Sequence, residues 1–111
     1  MKLHRIDKIP QGFTDYDSEP FSEYDIEQIP PEIDEAWYWY GSGSYCGTGH
    51  ILMRSFDGRW AHHYCGHCSC YGPMEYVELN YWPSLKNFLA NCTPALIQEL
   101  EPLTDAIKAQ S

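Results

Sequence analysis

The architecture follows from residues 36–65, which read AWYWYGSGSYCGTGHILMRSFDGRWAHHYC. The aromatic run 36–40 and the run 45–56, which ends in an apolar stretch, are typical of β-strands. Residues 59–65 form a third such run. The Asp57-Gly58 pair before it favours a type I′ turn, because both central residues of that turn need positive φ. The sequence therefore predicts antiparallel strands with a tight hairpin between the second and the third.

The chain that follows this stretch changes from strand to helix. Residues 74–79, MEYVEL, alternate in a way that fits a last strand or an edge strand. An apolar helical stripe is predicted after Pro83, and Thr93-Pro94 is typical of an N-cap followed by a first helical residue. Pro102 is expected to end or kink that second helix near Glu101.

Strands followed by helices predict an α+β fold. We expect a three- or four-stranded antiparallel sheet with the C-terminal helices packed on one face. Residues 1–35 are predicted to form an extended acidic arm, and residues 36–111 a single domain. Prolines interrupt the arm and favour extended backbone, with one helical turn expected after Ser22.

Charge is distributed unevenly along the 111 residues, whose formal net charge is −9. No Lys or Arg occurs between Ile9 and Met53, and nine acidic residues fall in that segment: Asp15, Asp17, Glu19, Glu23, Asp25, Glu27, Glu32, Asp34 and Glu35. Such a segment repels nucleic acid and attracts basic protein surfaces, either as a phosphate mimic or as a general binding surface. A merely solvated acidic face is the alternative. No apolar run approaches the roughly 18–20 residues of a membrane span, so no membrane association is predicted.

The segment 62–73, HHYCGHCSCYGP, carries the strongest local pattern. Cys65 and Cys68 stand in C-x-x-C spacing beside His67 and Cys70, and these four are candidate ligands of one structural zinc. Other candidates for the fourth ligand are His63, Cys46 and His50. Free thiols packed around a turn, or a redox or nucleophilic cysteine, are the alternatives. Because the N-terminus MKLHRIDKIPQG shows no export signal, we expect a reducing cytoplasm.

The glycine-rich residues 41–49, GSGSYCGTG, invite comparison with phosphate-binding loops. They lack the Lys of a P-loop and the G-x-G-x-x-G spacing of a dinucleotide site. A glycine-rich hairpin with a bulge is therefore favoured over a phosphate cradle.

Two strings in this chain carry a resemblance to a known class. The strings 45–49 (YCGTG) and 66–73 (GHCSCYGP), on either side of the Asp57-Gly58 turn, resemble small proteins found in tailed-bacteriophage genomes, over roughly residues 36–83. The resemblance centres on His67, Cys68 and Cys70, with Cys65 outside the motif. It implies a phage setting, in which the expected cytoplasm is that of a host cell, and it supplies no activity.

A small acidic phage-type protein is interpreted first as a non-enzymatic accessory binding protein. The hypothesis is an inhibitor of a host-defence or nucleic-acid-handling protein with a basic surface. Candidate partner-binding residues are Glu32, Asp34, Glu35, Trp37 and Trp39. One alternative is a small metal- or thiol-dependent enzyme centred on the His67–Cys70 loop. Another is an oligomeric sponge for a small signalling ligand.

Overall fold

The computed structural model describes residues 1–10, 12–15, 21, 23–42, 47–65, 74, 77 and 79–110. Within these residues the protein forms a mixed sheet and three helices. In chain order the described elements are β1 (Lys2–Arg5), β2 (Thr14–Asp15), α1 (Glu23–Glu27), β3 (Ile33–Ser42), β4 (Gly47–Ser55), β5 (Trp60–Tyr64), α2 (Leu85–Ala90) and α3 (Pro94–Ala109). The α+β class expected from the sequence is confirmed.

The sheet has the strand order β1-β3-β4-β5, and the two-residue β2 also pairs with β3. Strands β3, β4 and β5 are antiparallel, as predicted. Strand β1 is parallel to β3, with Lys2 opposite Glu35 and Arg5 opposite Tyr38, so the expectation of a purely antiparallel sheet was wrong. The run KLHR lacks β-branched residues and gives no strand signal. It forms a strand because it supplies backbone partners to an edge of β3 that would otherwise present unpaired groups.

The hairpin between β4 and β5 differs in detail from the expected type I′ turn. The Ser55 N–H donates to the Arg59 carbonyl (2.8 Å) and the Gly58 N–H donates to the Ser55 carbonyl (3.1 Å), so the loop has three residues, Phe56 to Gly58. Gly58 has φ 86°, which suits the last position of such a loop. Hydrogen bonds of Ser55 Oγ with Asp57 and with the Arg59 N–H favour this longer loop.

One face of the sheet packs against the C-terminal helices, as the sequence predicted. The helix-side cluster consists of the buried residues Trp37, Trp39, Leu52, Phe88, Leu100 and Leu103. Burial of each large apolar side chain in it contributes roughly 1.5–3 kcal/mol to the free energy of unfolding. Packing against the helices therefore helps to bury the tryptophans of β3.

The opposite face of the sheet is covered as well. The tyrosine-side cluster consists of Phe21, Ile29, Ile33, Ala36, Tyr38, Tyr40, Ile51, Met53, Cys65 and Met74. Three of its members precede residue 36, so the acidic N-terminal segment contributes β1, α1 and part of a core. A separate extended arm stays a prediction.

Helix α3 continues through Pro102 to Ala109, so Pro102 does not end the helix near Glu101, and the alternative of a kink there stays a prediction. Its start is as predicted, because Thr93 Oγ1 accepts a hydrogen bond from the Leu96 N–H (3.2 Å). A proline inside a helix costs about 3 kcal/mol. Here Leu100 and Leu103 are fully buried on either side of it, and this packing offsets the missing backbone hydrogen bond.

Two other expectations fall partly outside the described residues. Of the residues 74–79, the structure describes Met74, Val77 and Leu79, all of which contact or belong to the tyrosine-side cluster. The tip of the glycine-rich hairpin, residues 43–46, is not described. Its two ends are, and Ser42 pairs with Gly47 across the hairpin.

Candidate functional site

Cys65 is the one described member of the predicted zinc set; His67, Cys68 and Cys70 lie outside the described residues. The Cys65 thiol is fully buried, 3.9 Å from Met74 Sδ and 3.8 Å from the His63 carbonyl oxygen. Burial, with the Asp25 carboxylate nearby, raises the pKa of the Cys65 thiol. Zinc binds the thiolate, so this environment opposes a ligand role for Cys65. Among the described residues no group of three His, Cys, Asp or Glu side chains converges as a metal site, and the structural zinc stays a prediction.

Trp37 and Trp39, predicted as partner-binding anchors, are 1% and 0% exposed. Trp37 Nε1–H donates to Gln110 Oε1 (3.1 Å) and Trp39 Nε1–H donates to the Glu99 carbonyl (2.7 Å). Both rings are satisfied inside the core and present no area to a partner. The assignment of these two residues as surface anchors is therefore corrected, because α3 covers the face of β3 on which they lie.

Asp34 and Glu35 share one arginine. Arg54 Nη2 lies 2.7 Å from Glu35 Oε1 and 3.2 Å from Asp34 Oδ2, and His4 Nε2 lies 2.5 Å from Glu35 Oε2. The Glu35 side chain is only 13% exposed. Its charge is already matched within the sheet, so Glu35 supports β1 and β4 on either side of β3. Of the three predicted acidic binding residues, Glu32 is exposed, whereas Asp34 and Glu35 are partly buried.

Helix α1 presents apolar side chains to the surface. Tyr24 is 58% exposed and Ile26 is 41% exposed, and the neighbouring Glu23 and Glu27 are exposed too. Asp25 points the other way, is buried, and accepts a hydrogen bond from the Met74 N–H (3.3 Å). This buried contact fixes the rotation of α1 and leaves its aromatic and acidic residues outward.

Phe56, at the tip of the β4–β5 hairpin, is the most exposed large apolar residue described, at 70%. Its N–H donates to the Glu32 carbonyl (3.0 Å), which places an exposed phenyl ring beside the end of the acidic segment. We call the exposed residues Glu23, Tyr24, Ile26, Glu27, Glu32 and Phe56 the acidic-aromatic surface. Sequence reasoning placed Glu32 in a binding role but missed Phe56, because an apolar residue before Asp-Gly is usually part of the strand.

A buried hydrogen-bond chain joins two strands to α3. His50 Nδ1 lies 2.8 Å from His62 Nε2, and His50 Nε2 lies 3.0 Å from Glu99 Oε1. When Glu99 is ionised, His50 donates to it through Nε2–H and accepts from His62 through Nδ1. His50 is 3% exposed, so this chain holds the Glu99 carboxylate in one place. Sequence reasoning named His50 only as an alternative fourth zinc ligand, because no local sequence pattern indicates its contact with α3.

The histidine pair makes stability depend on pH. Burial lowers the pKa of His50, and burial together with the charges of His50 and His63 lowers the pKa of His62 from 6.5 to about 3. As the pH falls below 6.5, the imidazole rings of His50 and His62 become protonated in the unfolded chain but stay neutral in the folded chain. Stability is therefore full above about pH 6.5 and declines as the pH falls, by up to roughly 1.4 kcal/mol per pH unit for each excluded proton.

We expect His62→Gln to flatten this dependence between pH 7 and pH 5. The Gln amide can still donate to His50 Nδ1 but does not titrate. Urea unfolding at several pH values measures the slope of the free energy of unfolding against pH. Between pH 7 and pH 5 most carboxylates stay ionised and contribute little to that slope. An equal slope in H62Q and the unaltered protein would contradict the assignment.

No family model, curated protein or solved structure matches the chain. The resemblance to tailed-phage proteins over residues 36–83 accordingly stays a prediction. Within the described part of the chain, no helix has the length and apolar character needed to cross a membrane.

Proposed function

We propose that the chain is a non-enzymatic, phage-type accessory protein that binds a basic surface of a host protein through the acidic-aromatic surface. The host protein would belong to a defence or nucleic-acid-handling system, and binding would inhibit it. The observation that carries this proposal is the placement of exposed Tyr24 and Ile26 between exposed Glu23 and Glu27 on α1.

The chemistry of the surface fits protein recognition. Exposed aromatic residues dominate binding energies because they bury large areas at small entropic cost. Acidic residues around them speed the encounter with a basic partner and reject acidic ones. Nucleic acid, which is itself acidic, is repelled by the same charges.

The role of each acidic residue follows from its contacts. Glu23, Glu27 and Glu32 are exposed, and none of them forms an ion pair with a described residue. Asp34 and Glu35 already contact Arg54, so their reversal would disturb the sheet as well as a partner. Binding is therefore better tested at the exposed residues than at Glu35.

We expect Tyr24→Ala to weaken binding to the partner by about tenfold or more, and Glu23→Gln with Glu27→Gln by about five- to tenfold at low salt. The protein is immobilised and used to capture proteins from a bacterial lysate, and the captured protein is then purified for a titration. The expected captured protein is basic.

The matched control is Glu101→Gln with Asp105→Asn, which removes the same two charges from α3. It should keep the affinity within about twofold. Equal affinity of Y24A, E23Q/E27Q and the control would refute the acidic-aromatic surface. A captured protein with an acidic binding face would refute the charge argument.

A further inference from the structure

A cleft of about 410 Å³ lies between the N-terminal segment and α3. Its apolar wall includes Ile9, Pro10 and Phe13, and its other wall includes Glu99, Glu101 and Asp105. This volume is within the range of small-molecule sites, roughly 300–1,000 Å³. The acidic-aromatic surface shares no residue with it.

The apolar wall is held in place by contacts on both sides. The Phe13 ring packs on Trp39 with ring centres 5.3 Å apart. The Phe13 N–H donates to the Pro10 carbonyl (3.3 Å), and Gly12 has φ 100°, a value that glycine tolerates and other residues rarely adopt. The cleft is therefore formed before any ligand arrives.

The acidic wall is held by α3 and by the histidine chain. Glu99 takes a hydrogen bond from the buried His50 (3.0 Å), and Trp39 fixes the Glu99 carbonyl (2.7 Å). A carboxylate positioned in this way does not have to be ordered when a ligand binds, and pre-ordering favours affinity.

The charges of the cleft are unbalanced. Three carboxylates face one ammonium group, that of Lys8. Among the ion pairs of the described residues, none involves Glu101, Asp105 or Lys8. Glu101 and Asp105 are four residues apart on α3, and like charges at that spacing destabilise a helix. A bound cation would relieve this repulsion.

We propose that the cleft binds a small organic cation, a primary amine carried on an apolar or aromatic body. The ammonium group is held by the carboxylates of α3, and the apolar body lies against Phe13 and Pro10. The site is separate from the proposed protein-binding surface, so either can fail without the other.

Tryptamine is a suitable probe because it joins a primary amine to an indole ring. We expect it to bind the full chain with a Kd near 1 mM or tighter, as its size suggests. Backbone amide shifts in NMR should then be confined to residues 8–13 and to residues 95–105 of α3. The matched anion 3-indolepropionate should bind at least tenfold more weakly, and added salt should weaken tryptamine binding.

The variant E101Q/D105N should weaken tryptamine binding by about tenfold, and E23Q/E27Q, which carries the same change in net charge, should leave it within twofold. The backbone NMR spectrum of each free variant reports whether the fold is kept. Equal binding of tryptamine and 3-indolepropionate, shifts outside the cleft, or equal loss in both variants would overturn the proposal. The absence of any shift at 10 mM tryptamine would overturn it as well.

Discussion

Replacing Trp39 with alanine is expected to lower the free energy of unfolding by about 3–5 kcal/mol. The side chain is fully buried, and its ring contacts Phe13 and His50 at centre distances of 5.3 Å and 5.6 Å. Its Nε1–H also satisfies the Glu99 carbonyl. Alanine would leave a large cavity and an unpaired acceptor between the sheet and α3.

Urea unfolding followed by far-ultraviolet circular dichroism measures this loss. Trp39→Phe should recover part of the stability, since it restores ring volume but not the hydrogen bond. The control Phe56→Ala removes an exposed ring and should change the free energy of unfolding by less than about 0.5 kcal/mol. The burial argument fails if W39A and F56A unfold at the same urea concentration.

Gly49→Ala is expected to cost about 3 kcal/mol. A Cβ atom at Gly49 would lie 2.2 Å from the Trp39 carbonyl oxygen and 3.0 Å from the ring of Tyr40. The first contact is with backbone, so a side-chain rotation cannot relieve it. Strands β3 and β4 would have to separate locally, and both clusters depend on their pairing.

Thr48→Ala is the matched control, because it alters the adjacent residue of β4 and removes only a hydrogen bond with Tyr64 at the surface (3.3 Å). Its cost should stay below about 1 kcal/mol. Thermal unfolding of the two variants gives the comparison. Similar midpoints for G49A and T48A would show that the strands can absorb a methyl group at Gly49.

The sequence predicted the elements whose signals are local. The Asp-Gly pair marked the β4–β5 hairpin, and Thr93 with Pro94 marked the start of α3. The turn length was missed because Ser55 and Asp57 hydrogen bonds select a three-residue loop, and such side-chain contacts compete with turn propensity.

Features that depend on distant contacts could not be predicted. Alternation along AWYWY places Trp37 and Trp39 on one face of the sheet and Tyr38 and Tyr40 on the other. It does not show that other parts of the chain cover both faces. The cover of the tyrosine face comes from Phe21, Ile29 and Met74, which follow no periodic pattern. All four aromatic residues are consequently buried, and the exposed binding residues lie elsewhere.

The site was predictable only in its charge. The acidic excess before residue 54 is visible in the sequence, and Glu32 belongs to the surface that we propose. The buried link between Glu99 and His50 requires the docking of α3 across the sheet, over 49 residues of chain. Neither Glu99 nor His50 lies in a sequence motif that indicates this contact.

The burial of Trp37 and Trp39 by α3 has a consequence during synthesis of the chain. Helix α3 leaves the ribosome after every described strand of the sheet, yet it buries Trp37 and Trp39 of β3. A growing chain therefore exposes these two indole rings until α3 emerges. Premature termination before Pro94 would release a polypeptide with an adhesive apolar sheet face, which favours capture by chaperones or aggregation over function.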